Sequence, residues 1–326
     1  MAIKSPNVRI ETQLTNSIKQ SDHKSMYDET CKRILSSKGI LAQIMKGCVI
    51  EYENVPIKDI ADLYIEKEPH VAAITVFSGE SIDGLPTEDI GLNEGKIFYD
   101  IRYRALAPHH GEVVELIINI EAQNQYNPGY SLVKRGIYYD CRMISGQYGT
   151  DFDKMDYNKI KKVYSIWICR NVPKELENSI TSYDIHETNV IGNTKEKKEN
   201  YDLMSVVMIY LGQATDTSES DVLKLLNRLL SEEVSAREKL NMLSEEYQIP
   251  STQDLESEVE QMCNLSQGIE DKAIKKGIEK GASKKAIEIA KNLFSMNFTL
   301  EQVTNATGLA GSVAKRLKEE FLNQEC

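Results

Sequence analysis

The sequence predicts an α/β protein followed by an all-helical C-terminal region. Residues 96 to 123 (KIFYDIRYRALAPHHGEVVELIINIEAQ) hold two alternating runs around a Pro-His-His-Gly break, the pattern of a β-hairpin. KVYSIWIC, from Lys162 to Cys169, is β-branched and aromatic enough for a buried strand. From Lys195 to the end, charged runs with helical periodicity dominate.

Length and composition bound the answer. At roughly 150 residues per domain, 326 residues leave room for about two domains, and a hydrophobic content of 41% suffices to bury a core and excludes disorder throughout. Lys and Arg total 39 against 50 Asp and Glu, a net charge of −11. That balance opposes charge-driven binding of polyanions by the whole surface and leaves room for a local basic patch. Six cysteines are scattered with no CxxC pair and read as reduced thiols. No run approaches the ~18 apolar residues of a spanning helix, and MAIKSPNVRI has no secretory signal pattern. No membrane partner and a cytoplasmic location are expected.

Residues 1 to 24 are polar and aperiodic and read as an N-terminal arm. From Tyr27 to Lys46, apolar residues recur at three- and four-residue steps, as an amphipathic helix requires, with Gly39 as a weak point and Gly47 as a stop. Pro56 to Glu66 reads as a second helix, and VAAITVF (71 to 77) as a strand. Residues 128 to 147 have helical periodicity, with Pro128 near the start and Gly146 near the end. Ser182 to Ile191 is a further candidate strand. GNTKEKKEN (192 to 200) suggests a boundary, giving a core over 25 to 195 and a helical region over 196 to 326. The last units, TLEQVTNATGL and SVAKRLKEEF, have the outline of a helix-turn-helix with Gly308 at the turn.

The hairpin carries the chemistry. If it is symmetric about His110/Gly111, opposed residues have numbers summing to 221, and Asp100 lies across from Glu121. Alternation places Arg102, Arg104, Asn119 and Gln123 on the same, polar face, and Ile101, Tyr103, Ala105, Val114, Leu116, Ile118 and Ile120 on the core face. Two carboxylates with Cβ atoms about 4.5 to 5.5 Å apart repel each other. A divalent cation such as Mg²⁺ would compensate, since it favours hard oxygen ligands and keeps several waters. The alternative is a pair of surface acids neutralised by Arg102 and Arg104. Gln123, on the face of Glu121, could orient a water or touch a phosphate but cannot be a cationic acid. Between Tyr130 and Lys174, nine Lys/Arg stand against four Asp, a locally positive segment suited to phosphate contacts.

Four ordered blocks, GKIFYDIRYRA, INIEAQ, NPGYSLVKRGIYYDCRMISGQ and KIKKVYSIWIC, closely resemble the PD-(D/E)XK nuclease family transposases, relatives of the recombination-promoting nucleases. The resemblance covers residues 25 to 195 and extends to the helical tail. It implies a restriction-endonuclease-like fold, a mixed sheet flanked by helices, and a metal-dependent DNA endonuclease that hydrolyses phosphodiester bonds with Mg²⁺ or Mn²⁺, linked to recombination or mobile elements. Asp100 matches the metal-binding Asp of the second motif and Glu121 the acid of the third. Gln123 stands where the family signature has Lys, as in an E-x-Q variant. Asp28 is the choice for the first-helix acid, with Glu29 and Glu51 as alternatives. Lys134, Arg135, Tyr138 and Tyr139 fall in NPGYSLVKRGIYYDCRMISGQ, where the resemblance implies DNA contacts. The competing reading is a catalytically silent nuclease-fold module for DNA binding or protein interaction, with the C-terminal helices serving homo-oligomerisation.

Overall fold

The computed structural model describes residues 25–65, 70–71, 88–91, 95–109, 112–215 and 218–322. The expected N-terminal arm, nearly all of the VAAITVF strand and the hairpin tip at His110 and Gly111 lie outside them.

Helix α1 spans residues 25–35 and buries Tyr27, Cys31, Ile34 and Leu35, one face at helical spacing. The single helix expected over 27 to 46 is two, because the chain turns at Ser36–Ser37 before α2 (Lys38–Cys48). Ser36 Oγ donates to the carbonyl of Arg33 at 2.7 Å, a local bond that competes with helix continuation. Gly39 is a packing position instead of a break, since a Cβ there would come within 2.9 Å of Ile249. A short helix, α3 (Ile57–Asp59), continues as a π-helical turn over Ile60–Tyr64, where Pro56 to Glu66 reads as helical.

The strands are β1 (His70–Val71), β2 (Glu88–Gly91), β3 (Gly95–Phe98), β4 (Ile101–His109), β5 (Glu112–Gln123), β6 (Val163–Cys169), β7 (Ser179–Asp184) and β8 (Met204–Tyr210). Six form a mixed sheet in the order β1-β4-β5-β6-β8-β7, and β2 and β3 pair separately. β4 and β5 are antiparallel in the expected register, from Ile101 opposite Ile120 to His109 opposite Glu112. β5, β6 and β8 run parallel, and β7 is antiparallel to β8. All seven residues of β6 are buried, as parallel strands covered on both faces require.

Helix α4 (Leu132–Ser145) joins β5 to β6. Ser131 caps its start by accepting from the Lys134 amide, and Gly146 ends it. α4 packs over β6 and β8 on the sheet face read as polar, and Asn119, Glu121 and Arg102 on that face are buried. That face is a second core: Leu132, Tyr139 and Met143 of α4 pack with Ile117, Val163, Trp167, Val206 and Met208. Alternation separates the two faces but does not report what covers the less apolar one.

The expected boundary at 195/196 falls between β7 and β8, which are hydrogen-bonded neighbours. MSVVMIY in β8 is a short apolar run within charged surroundings, and it completes the sheet. The chain divides instead into Met1–Leu265 and Ser266–Cys326. The first unit includes α5 (Asp221–Leu229) and α6 (Ala236–Glu245). Helix α7 (Gln253–Ser295) contains the division point. The second unit holds the rest of α7, α8 (Leu300–Thr307) and α9 (Gly311–Leu322). No helix among the described residues is long and apolar enough to cross a membrane.

Candidate active site

Asp100 immediately precedes β4, and Glu121 lies near the end of β5. Extending the ladder by one pair past Ile101 and Ile120 sets them opposite each other. The bonding is reciprocal. The Asp100 backbone N–H donates to Glu121 Oε1 at 3.1 Å, and the Ala122 N–H donates to Asp100 Oδ2 at 3.0 Å. Each carboxylate is thus held by a backbone N–H from the other's segment.

A cation sits in this site. Lys32, on α1, places Nζ 2.7 Å from Asp100 Oδ1. Burial opposes its charge, but Asp100 first, then Glu121 and Asp28, overcome that cost and raise its pKa. Asp28 lies one helical turn before Lys32, so both belong to one face of α1. The acid chosen from the first helix therefore joins the cluster electrostatically. Glu51, an alternative to it, does not: it binds Lys162 Nζ at 3.0 Å and Tyr164 Oη at 2.6 Å, at the opposite end of β6 from Trp167 and Cys169.

Glu121 is 3% exposed. Burial, and then repulsion from Asp100, push its carboxyl well above the usual range, against the pull of the Asp100 N–H, Arg135 and Asn119. Arg135 reaches in from α4. It donates through Nη2 to Tyr139 Oη at 2.6 Å and through Nη1 to Tyr130 Oη at 3.0 Å, and its guanidinium lies 5.2 Å from the Trp167 ring. α4 comes this close because residue 136 is glycine: a Cβ there would stand 2.6 Å from Val206 Cγ1 and 3.0 Å from Trp167 Nε1.

The remaining candidates separate by helical geometry. Arg135 and Tyr139 turn towards Glu121, whereas Lys134 and Tyr138 lie on the exposed side of α4. Gln123 donates through Nε2 to the carbonyl of Gln125 at 2.7 Å, so its amide is engaged by the following loop. The arginines expected to neutralise the acids in the alternative reading are engaged elsewhere. Arg104 pairs with Glu115 and Asp151, and Arg102 lies over the Tyr99 ring. Within the basic segment, Lys159, Lys161, Lys162 and Arg170 pair with internal acids, so composition overstates its positive field. Lys32 was absent from the sequence reading. Its signal was its position one turn after Asp28, on the buried side of an amphipathic helix.

The residues present fit a small divalent ion. Asp100 and Glu121 present hard carboxylate oxygens, and the Lys32 ammonium demonstrates that the position accepts positive charge. Among the described residues, no group of three or more His, Cys, Asp and Glu side chains converges on one point. Asp100 and Glu121 would hold such an ion through carboxylate oxygens, the donor type Mg²⁺ prefers.

A family model described as PD-(D/E)XK nuclease family transposase matches residues 110–286, just over half the chain. The match includes Glu121, Gln123 and α4 and begins after Asp28 and Asp100. No curated protein and no solved structure matches.

Proposed function

Since the chain belongs to the PD-(D/E)XK nuclease family transposases, we propose that it is a metal-dependent DNA endonuclease with Asp100 and Glu121 as its metal-binding pair. The observation that carries this reading is the reciprocal bonding of the two carboxylates beside a lysine ammonium. A bound Mg²⁺ or Mn²⁺ would supply an activated water and neutralise charge developing on the phosphate. Lys32, anchored on α1, provides a cation at the same point and pairs with the substrate phosphate. Arg135, held by Tyr139 and Tyr130, maintains a fixed positive field beside Glu121. Asp28 adds to the field of Asp100 and Glu121 that favours the charged form of Lys32. Gln123 orients the loop after β5 through its bond to Gln125, and Lys134 and Tyr138 face outward towards the DNA backbone.

The test is supercoiled plasmid incubated with the protein and Mg²⁺ or Mn²⁺, beside an EDTA control and an Asp100→Ala variant. Nicking that requires metal and disappears in the variant is expected. Absence of nicking with either metal overturns the proposal.

A second reading has its own observation. Lys32 already pairs with Asp100, and a neutral glutamine stands at position 123 where the family signature has Lys, which suits a silent DNA-binding module. That reading predicts DNA retention without cleavage in the same assay.

A further inference from the structure

The second unit is a small three-helix body with its own core. Ala290 and Phe294 from α7, Val303 from α8 and Leu317 from α9 are buried together, with Leu309 and Val313 packed against them. A capping box starts α8: Thr299 Oγ1 accepts from the Gln302 N–H, and the Gln302 side chain accepts from the Thr299 N–H. Gly308 ends α8 in the left-handed conformation at φ 67°, and residues 308 to 310 complete a three-residue turn into α9. A short glycine-containing turn between two packed helices is the construction of a helix-turn-helix.

Relative to that turn, burial is distributed as the motif needs. Val303, Ala314 and Leu317 face inward, while Ala310, Gly311, Ser312, Lys315 and Arg316 are exposed. The start of α9 is therefore sterically slight, and Lys315 and Arg316 open its second turn on the same face as Ser312. In a helix-turn-helix, the second helix enters the major groove and its N-terminal residues meet base edges. Small side chains at the entry permit close approach, and Lys315, Arg316 and Lys318 outnumber Glu319 and Glu320, which leaves α9 net positive in a protein whose net charge is −11. That local reversal of charge favours a polyanion as the occupant.

We propose that α9 is a recognition helix binding double-stranded DNA, with Ser312, Lys315 and Arg316 as its contacts. This surface belongs to a separate unit and does not rest on the nuclease reading. It is a targeting site, and it makes its own demand on the substrate: duplex DNA.

The experiment measures binding of the full chain to a fluorescently labelled random-sequence duplex in EDTA, where metal-dependent cleavage cannot occur. K315E/R316E should weaken binding at least about tenfold and lower the slope of log affinity against log salt by about two, one unit for each lost phosphate contact. K315R/R316K should retain binding. The milder K315Q/R316Q leaves the inward residues untouched and decides the matter if the reversed charges impair folding. Duplex affinity and salt slope unchanged in K315Q/R316Q overturn the proposal. So does loss of self-association in sedimentation without loss of DNA binding, which would make the face an interface between copies of this chain.

Discussion

Lys32 Nζ and Asp100 Oδ1 lie 2.7 Å apart, and the pair joins helix α1 to the strand that carries one of the two opposed acids. The ammonium therefore competes with any metal ion for the same carboxylate. Replacing Lys32 by Met should strengthen Mn²⁺ binding roughly fivefold, the scale of a partly exposed ion pair. Cleavage should nevertheless fall by about a hundredfold, because a cation facing the phosphate is lost. Calorimetric Mn²⁺ titration beside the nicking assay checks both. Weaker metal binding would show that Lys32 is needed to build the site.

Glu121 should impose a cost on stability that function retains. Its folded pKa is raised above the unfolded value, so the folded state holds the proton more tightly. The corresponding stability is present below the unfolded pKa and is lost as pH rises towards the folded one. Glu121→Gln preserves shape and removes the buried charge. At pH 8 it should raise the melting temperature by roughly 2–4 °C, the shift expected for about 1 kcal/mol, while cleavage disappears. A lower melting temperature at that pH would mean that the charge is well compensated.

Gly136 sets the distance between α4 and the sheet. Gly136→Val should destabilise the protein by about 1–3 kcal/mol through overpacking against Val206 and Trp167. It should also reduce cleavage, since Arg135 moves away from Glu121 with the helix. Denaturant melts beside plasmid nicking separate the two effects. Normal stability and activity would show that the sheet yields at that point.

Asp151 provides a pH signature remote from the site. Burial tends to raise its pKa, but hydrogen bonds from Arg104 and Lys161 prevail and hold it at about 2. A depressed folded pKa contributes stability above the unfolded value, lost as pH falls through the folded one. Wild type should therefore lose stability between about pH 4 and pH 2 more steeply than Asp151→Asn. Parallel acid titrations followed by circular dichroism make the comparison.

Much of the fold was legible because its information is local. Alternation on either side of a turn specified the β4–β5 register, and with it the facing of Asp100 and Glu121. The end of α4 at Gly146 and the buried strand β6 were readable for the same reason, whereas the helix starts at Leu132 behind a Ser131 cap and not near Pro128. β8 was not, because a seven-residue, mostly apolar run among charges does not reveal that two strands elsewhere need a neighbour between them. Tyr138 and Tyr139 illustrate the finer limit: adjacent residues in a helix face directions about 100° apart, and only the packed helix decides which of the two meets Glu121.

Backbone period and turn chemistry, which are properties of contiguous residues, suffice to oppose the two acids. Packing between segments distant in the chain decides the rest: Gly136 lets α4 bury the face they share, and the fold of α1 against the sheet brings Lys32 to Asp100. Burial gives those charges their altered affinities for protons and cations, because it removes the water that would otherwise screen them.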